Sequence, residues 1–294
     1  MPEVITSPSN PKVKQLLALQ QKSSARRERG LFVVEGRREL QHCIDAGFTV
    51  DTIFVCPSLH GSQPPETSRF ARPLPSDDGP HPLTQPRVAR FPEAAAASAS
   101  GQTKVFEVSK DVYSKVSYRE GTEGIIAEVR VPERKLDGLV LPENPLVVVL
   151  ESVEKPGNLG AVLRSADAAG ADAVLVCDPL TDLWNPNLIR ASIGAAFTVP
   201  TVACSTEEAI AFLQARGIRI LTAQLQDSSL YYDCDMTVGT ALVMGTESTG
   251  LTDRWRQAAD AHIRIPMLGR LDSLNVSVSA AILLFEAVRQ RSNG

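Results

Sequence analysis

The stretches Ala241-Leu-Val-Met-Gly-Thr-Glu-Ser-Thr-Gly250 and Ile265-Pro-Met-Leu-Gly-Arg-Leu-Asp-Ser-Leu-Asn-Val-Ser-Val-Ser279 decide how this chain is read. The apolar run from Ala241 to Met244 has the length and content of a buried strand. It breaks into a loop holding Gly245, Gly250 and one carboxylate, Glu247. His262-Ile-Arg-Ile-Pro266 reads as a second strand, and its loop carries Gly269 before Ser273 and Asn275 open an apolar helix. Two glycine-bearing loops after two strands expose backbone N–H and C=O groups to a polar ligand. Strand C-termini of open α/β sheets are where ligands bind. Two ordinary strand-to-helix turns would look the same if these loops stood alone.

Upstream of this stretch the chain alternates strand and helix. Leu146 to Leu150 is wholly apolar, as in strands covered on both faces. A helix over about Leu159 to Ala169, a strand over Ala173 to Cys177 and a short helix over Asn187 to Ala195 follow. A strand over Val199 to Ala203 comes next. Ser205 and Glu208 form a capping box for a helix to Ala215, and Ile218 to Gln224 is a further strand. This alternation predicts an α/β fold, a parallel sheet with helices on both faces.

The N-terminal part has a different pattern. A helix through Val13, Leu16 and Leu17 is predicted to continue through the basic run Ala25 to Arg29 and to stop at Gly30. Leu31–Glu35, a helix from Glu39 to Ala46, and Thr49 to Cys56 read as β-α-β, hence a parallel pair with a right-handed crossover. Residues 57–100 are rich in proline, serine, alanine and glycine and read as a mobile insertion. Lys104 to Val108, Lys110 to Tyr118 and Gly124 to Val131 add a strand, a helix and a closing strand. The expected organisation is a small α/β domain over 1–131, a linker over 132–145 and a second domain over 146–294.

Composition limits the function classes. The 294 residues are 43% apolar, with no run long enough to span a bilayer and no secretory signal at the start. The five cysteines are scattered without metal-ligand spacing, as in a reduced, cytoplasmic protein, and no metal is expected. The net charge of −4 does not advertise a nucleic-acid binder. Residues 1–40 nevertheless hold Lys12, Lys14, Lys22, Arg26, Arg27, Arg29, Arg37 and Arg38 against four glutamates. That stripe is either a phosphate footprint or a solvated helix face.

No G-x-G-x-x-G follows the strand at 146–150, where the loop is Glu151-Ser-Val-Glu-Lys-Pro-Gly-Asn-Leu-Gly160. No Walker sequence occurs either, which disfavours the common nucleotide sites. Three polar clusters stand instead at strand ends or helix starts. They are Asn158, Gly160 and Arg164; then Arg190, Ser192 and Gly194; then Glu247, Ser273 and Asn275. Asn158 reads either as a helix cap or as a ligand contact, and Arg164 as a surface residue or a phosphate clamp.

Pro156-Gly-Asn-Leu-Gly-Ala-Val-Leu-Arg-Ser-Ala166, Asn187-Leu-Ile-Arg-Ala-Ser-Ile-Gly-Ala-Ala196 and the two quoted stretches together resemble the three motifs of the SpoU/TrmH-type RNA 2'-O-ribose methyltransferases, in the SPOUT superfamily. Phe32-Val-Val-Glu-Gly-Arg37 is similar to part of that family's N-terminal RNA-substrate-binding domain. The resemblance implies S-adenosylmethionine as cofactor and a C-terminal trefoil knot, and it places Gly245, Ile265 and Leu274 at the cofactor. It implies active-site roles for Asn158, Arg164, Glu247, Ser273 and Asn275. It further implies a homodimer acting on RNA, ribosomal rather than transfer RNA by analogy. A non-catalytic RNA-binding protein of the same fold is the alternative. Arg164 is a poor literal base, because a guanidinium keeps its proton to above about pH 12; clamping a phosphate suits it better.

Overall fold

Leu146–Glu151 (β6) is buried at every position, and the pleat divides it between two cores. Leu146, Val148 and Leu150 join one apolar cluster with the helices Pro156–Ala168 and Val276–Ser292. Val147 and Val149 are equally buried and point to the opposite face. There the helices Thr206–Ala215 and Asp253–Ala258 pack on each other and on the sheet. A strand covered on both sides has no polar face, which is why its sequence does not alternate.

The computed structural model describes residues 3–59, 103–118, 124–246 and 249–292. The insertion expected over 57–100 therefore lies almost wholly outside the described residues, and Glu247 lies outside them too. The chain divides into two compact units, residues 1–132 and 133–294.

In the second unit, Ala173–Cys177 (β7), Thr201–Cys204 (β8), Arg219–Ala223 (β9), Ser229–Leu230 (β10), Thr240–Met244 (β11) and Ala261–Arg264 (β12) join β6 in a seven-stranded sheet. Their order is β10-β12-β9-β11-β6-β7-β8, and every pairing is parallel. From β6 the chain runs outward through β7 and β8, then returns past β6 to β9. The strand β11 enters between β9 and β6, pairing Thr240 with Leu146 and with Arg219. This reversal of strand order beside β6 is a topological switch point, where such sheets open a crevice at their carboxyl ends. The two-residue β10 was not foreseen.

Two helix readings change. The helix begins at Pro156 with Lys155 as its cap residue, so Asn158 lies inside the first turn and is not the cap. Proline at the first helical position sets the start, since its missing N–H is not needed there. The helix expected over 187–195 is two: Pro186–Ser192 ends where Ile193 takes a left-handed φ of 52°, and Ala195–Thr198 follows. The helix Pro186–Ser192 packs closely on Pro156–Ala168 at Gly160. A Cβ there would stand 2.6 Å from Ala191 Cβ and 2.7 Å from the Leu188 carbonyl oxygen.

The first unit is a five-stranded sheet in the order β1-β4-β3-β5-β2, built from Glu3–Ile5 (β1), Leu31–Glu35 (β2), Val50–Val55 (β3), Lys104–Val108 (β4) and Ile125–Arg130 (β5). β2 and β3 are not hydrogen-bonded partners, contrary to the β-α-β expectation. β5 lies between them, antiparallel to both. Four consecutive buried residues, Ile126 to Val129, make β5 an interior strand and displace the local pairing. The predicted single basic helix is also interrupted. Pro11–Gln21 ends at Lys22, which is extended, and Ser23–Arg29 starts again. The Arg26 guanidinium donates to the carbonyls of Leu19 (2.5 Å) and Gln20 (3.3 Å), closing the first helix in place of continued helical bonds. Arg26 is 3% exposed and is removed from the basic stripe, whereas Lys14, Lys22, Arg27, Arg29, Arg37 and Arg38 are exposed.

Candidate cofactor and acceptor site

The loops after β9, β11 and β12 enclose a cavity of about 340 Å³ at the carboxyl edge of the sheet. Its wall is mostly apolar, with Met244, Leu251, Ile265 and Leu274, and carries polar groups from Gln224 and Ser273. Gln224 Oε1 is buried with no hydrogen-bond partner among the described residues, an acceptor left over in the wall. A second cavity of about 140 Å³ adjoins it and is lined by Ser152, Val153, Glu154, Lys155 and Asn158. Gly245, Thr246 and Val276 line both.

Gly245 makes this arrangement possible. A Cβ on it would lie 2.3 Å from the carbonyl carbon and oxygen of Gly250, and 2.6 Å from the Leu251 nitrogen. The loop closes on itself across Gly245, and Thr246 pairs with Gly250 as an isolated bridge. Only a hydrogen side chain fits.

The small cavity sits at the N-terminus of the helix Pro156–Ala168, whose dipole favours negative charge there. Ser152 takes a left-handed φ of 53° directly after β6 and turns the chain into it. Asn158 accepts a hydrogen bond from Asn275 Nδ2 at 3.3 Å. Asn275 also starts the last helix: its Oδ1 accepts from the Ser277 backbone N–H (3.0 Å) and hydroxyl (2.6 Å), as an N-cap does. One asparagine thus joins the second motif-bearing loop to the first.

The structure brings Asn158, Gly245, Ile265, Ser273, Leu274 and Asn275 together across these cavities and the hydrogen bond between them. Arg164 is not among them. It is exposed, a little over two turns into its helix, lines neither cavity and makes no hydrogen bond or ion pair among the described residues. Arg190 bonds Asn187 Oδ1 within its own helix (2.9 Å), and Ser192 is buried, bonding the Ile189 carbonyl. Neither lines the two cavities. Sequence reading missed Gln224, Thr246, Arg256 and Asp272 on the cavity walls. Asp272 stands beside Ser273 in the quoted stretch and was within reach of the same argument.

Residues 145–285 match the SpoU rRNA Methylase family, and residues 10–127 match the MRM3-like substrate binding domain. The chain is 30% identical over 292 residues to the 23S rRNA (uridine(2479)-2'-O)-methyltransferase of Streptomyces viridochromogenes, covering 97% of this chain and 92% of that one. It is 39% identical over 175 residues to the 23S rRNA (guanosine-2'-O-)-methyltransferase RlmB of Vibrio vulnificus, covering 58% of this chain and 71% of the relative. Among solved structures, an RNA 2'-O ribose methyltransferase matches with a TM-score of 0.74 at 35% identity, over 98% of this chain and 99% of that one. An AdoMet-bound rRNA methyltransferase from Sinorhizobium meliloti matches with a TM-score of 0.79 at 28% identity, over 98% and 97%. With residues of its first and third motifs lining one pair of cavities and 97% of its length matched by such a relative, the chain belongs to the SpoU rRNA methylase family.

Proposed function

We propose that the protein transfers a methyl group from S-adenosylmethionine to a ribose 2'-hydroxyl of ribosomal RNA. The observation that carries this reading is the pair of adjoining cavities sharing Gly245, Thr246 and Val276. A two-part reaction needs a donor site and an acceptor site meeting at one wall. The larger cavity suits a small amphipathic cofactor in size and lining. Gly245, Ile265 and Leu274 would hold it, with Ser273 and Gln224 as polar contacts. The sulfonium supplies an already activated methyl group, so the protein's task is alignment and proton removal. Asn158 orients the acceptor ribose, and the helix N-terminus at Pro156 stabilises charge developing on its oxygen. Glu247 follows Thr246 in the sequence and serves as an orienting carboxylate in this reading.

Three further features belong to the same proposal. The chain is knotted. In support, β11 enters the middle of the sheet late, and the helix after β12 packs back on Pro156–Ala168. The protein works as a homodimer, to which Arg164 contributes from one subunit to the other's acceptor cavity; Val278 and Phe285, about half exposed on the last helix, support a covered face there. The first unit, with its exposed Lys22, Arg27, Arg29, Arg37 and Arg38, holds the RNA backbone. The protein acts in the cytoplasm.

The test is tritiated methyl transfer from S-adenosylmethionine to ribosomal RNA lacking the modification, with ribose methylation mapped afterwards. Incorporation at one 2'-oxygen is the expected result; no incorporation into ribosomal RNA, with transfer RNA methylated instead, would overturn the substrate assignment.

A further inference from the structure

Glu151 ends β6 with its side chain 3% exposed, and no role in the reaction described above uses it. Its two oxygens take up the residue that closes the cofactor loop. Oε2 accepts from the Thr252 backbone N–H at 2.8 Å, and Oε1 accepts from the Thr252 hydroxyl at 2.7 Å. Thr206 Oγ1 stands 3.3 Å from the same Oε1. The single Thr206 hydroxyl proton goes to Asp178 Oδ2, at the shorter 2.8 Å, and the Thr206 N–H also donates there at 3.1 Å.

Thr252 occupies the N-cap position of the helix Asp253–Ala258 but makes no side-chain cap bond. A threonine at that position ordinarily accepts from a first-turn N–H, worth about 1 kcal/mol. Here the hydroxyl is turned the other way, to the carboxylate. The helix end gives up its cap so that the loop can be tied to the neighbouring strand. On one side of Thr252 are Gly250 and Leu251, which line the large cavity and close over Gly245. On the other is Arg256, on the same wall. The helix is held from beneath by fully buried Trp255 and sideways by the Arg254–Glu207 ion pair. Glu151 is the point at which the strand meets this assembly.

We propose that Glu151 is a positioning residue for cofactor binding: by holding Thr252 it fixes the adjoining Gly250 and Leu251, and hence the width of the cofactor cavity that they line. The proposal rests on the reading of that cavity as the S-adenosylmethionine site. Charge-assisted bonds to a buried carboxylate are the strong kind, and an edge released from one would let the cavity wall move.

The test compares Glu151→Ala, Glu151→Gln and Thr252→Val in the full chain. S-Adenosylmethionine affinity is measured by titration calorimetry, and KM is measured separately for cofactor and RNA. Glutamine keeps one acceptor for the Thr252 N–H and offers a donor to its hydroxyl oxygen, so it is the conservative variant. Thr252→Val removes only the hydroxyl bond and keeps Glu151 for a case where the alanine variant does not fold. The expected result is about a tenfold loss of cofactor affinity for Thr252→Val, equal to ~1.4 kcal/mol, with a larger loss for Glu151→Ala. The KM for RNA stays within about twofold, and Glu151→Gln retains most of the native affinity. Folded variants that bind the cofactor as the native protein does, but melt earlier, would overturn the proposal and leave Glu151 a purely structural residue. Failure of the native protein to bind S-adenosylmethionine would instead overturn the reading of the cavity, and this proposal with it.

Discussion

At the scale of single residues, the site depends on an absent side chain as much as on present ones. Gly245 lets the 245–251 loop lie against itself, with Gly250 backbone atoms 2.3 Å from where a Cβ would be. The obstacle is backbone, which cannot rotate aside as a side chain can. Gly245→Ala should therefore push the loop away and weaken S-adenosylmethionine binding by at least on the order of tenfold, read by titration calorimetry. Thermal unfolding of the variant is followed alongside, so that lost affinity in a folded protein is separated from lost stability, since Leu251 beside Gly250 is itself buried. Unchanged affinity would show that the loop does not shape the cavity. The importance of Gly245 was legible in the sequence, since a glycine directly after a buried strand invites a tight turn. The partnership of Glu151 with Thr252 was not. They are 101 positions apart, and a strand-end glutamate and a pre-helix threonine each have an ordinary local explanation. Asn275 lay between these cases: its place before an apolar helix announced a cap, but only the fold brings its amide to Asn158.

At the scale of elements, runs buried on both faces were the easiest to read. β6, β7 and β11 are almost wholly apolar and carry their identity in composition alone. Pairing was harder, because register between distant strands leaves no local trace. β5 is the example: it reads as a closing strand with no stated neighbour, yet it lies between β2 and β3 and carries a buried glutamate. Burial pushes the Glu128 carboxyl up to about 7, opposed by a hydrogen bond from Gln15 (2.9 Å). Asp51 raises it further, whereas Arg29 and Lys12 lower it. A folded-state value above the unfolded 4.5 means that the native state holds the proton more tightly. Stability is then greatest below about pH 4.5, falls as pH rises to about 7 and is level above that. The limit is ~1.4 kcal/mol per pH unit, or about 3 kcal/mol across the interval. Denaturant unfolding of the full chain followed between pH 5 and 8 should show this slope in the native protein, and Glu128→Gln should flatten it. Parallel profiles for the two would mean that Glu128 is already ionised throughout.

At the scale of the whole molecule, the position of Arg164 bears directly on the proposed dimer. It is exposed on the helix whose first turn lines the smaller cavity, but lines neither cavity of its own chain. In the proposed homodimer, an arginine from the second copy would bridge the separation without moving a helix. Mixed dimers of Arg164→Ala chains with Asn158→Ala chains should then regain activity, up to about half that of native dimers, since one site of two is complete. Each variant alone should be inactive, with methyl transfer to RNA as the measurement. No recovery on mixing would place Arg164 within its own chain's site, or outside the reaction.

The late entry of β11 into the middle of the sheet also governs how the protein is made. During synthesis, β6, β7 and β8 leave the ribosome with one flank of β6 unpaired, and β9 cannot join them until β11 arrives. Leu146 waits for Thr240, and the core side of β6 waits further for the helix that ends at Ser292. The second unit therefore cannot complete its fold until that last helix has been made, and its long-range contacts make folding slow. A stop codon that removed only the last helix would leave no smaller working enzyme, but an open sheet whose exposed apolar strands are a hazard for aggregation.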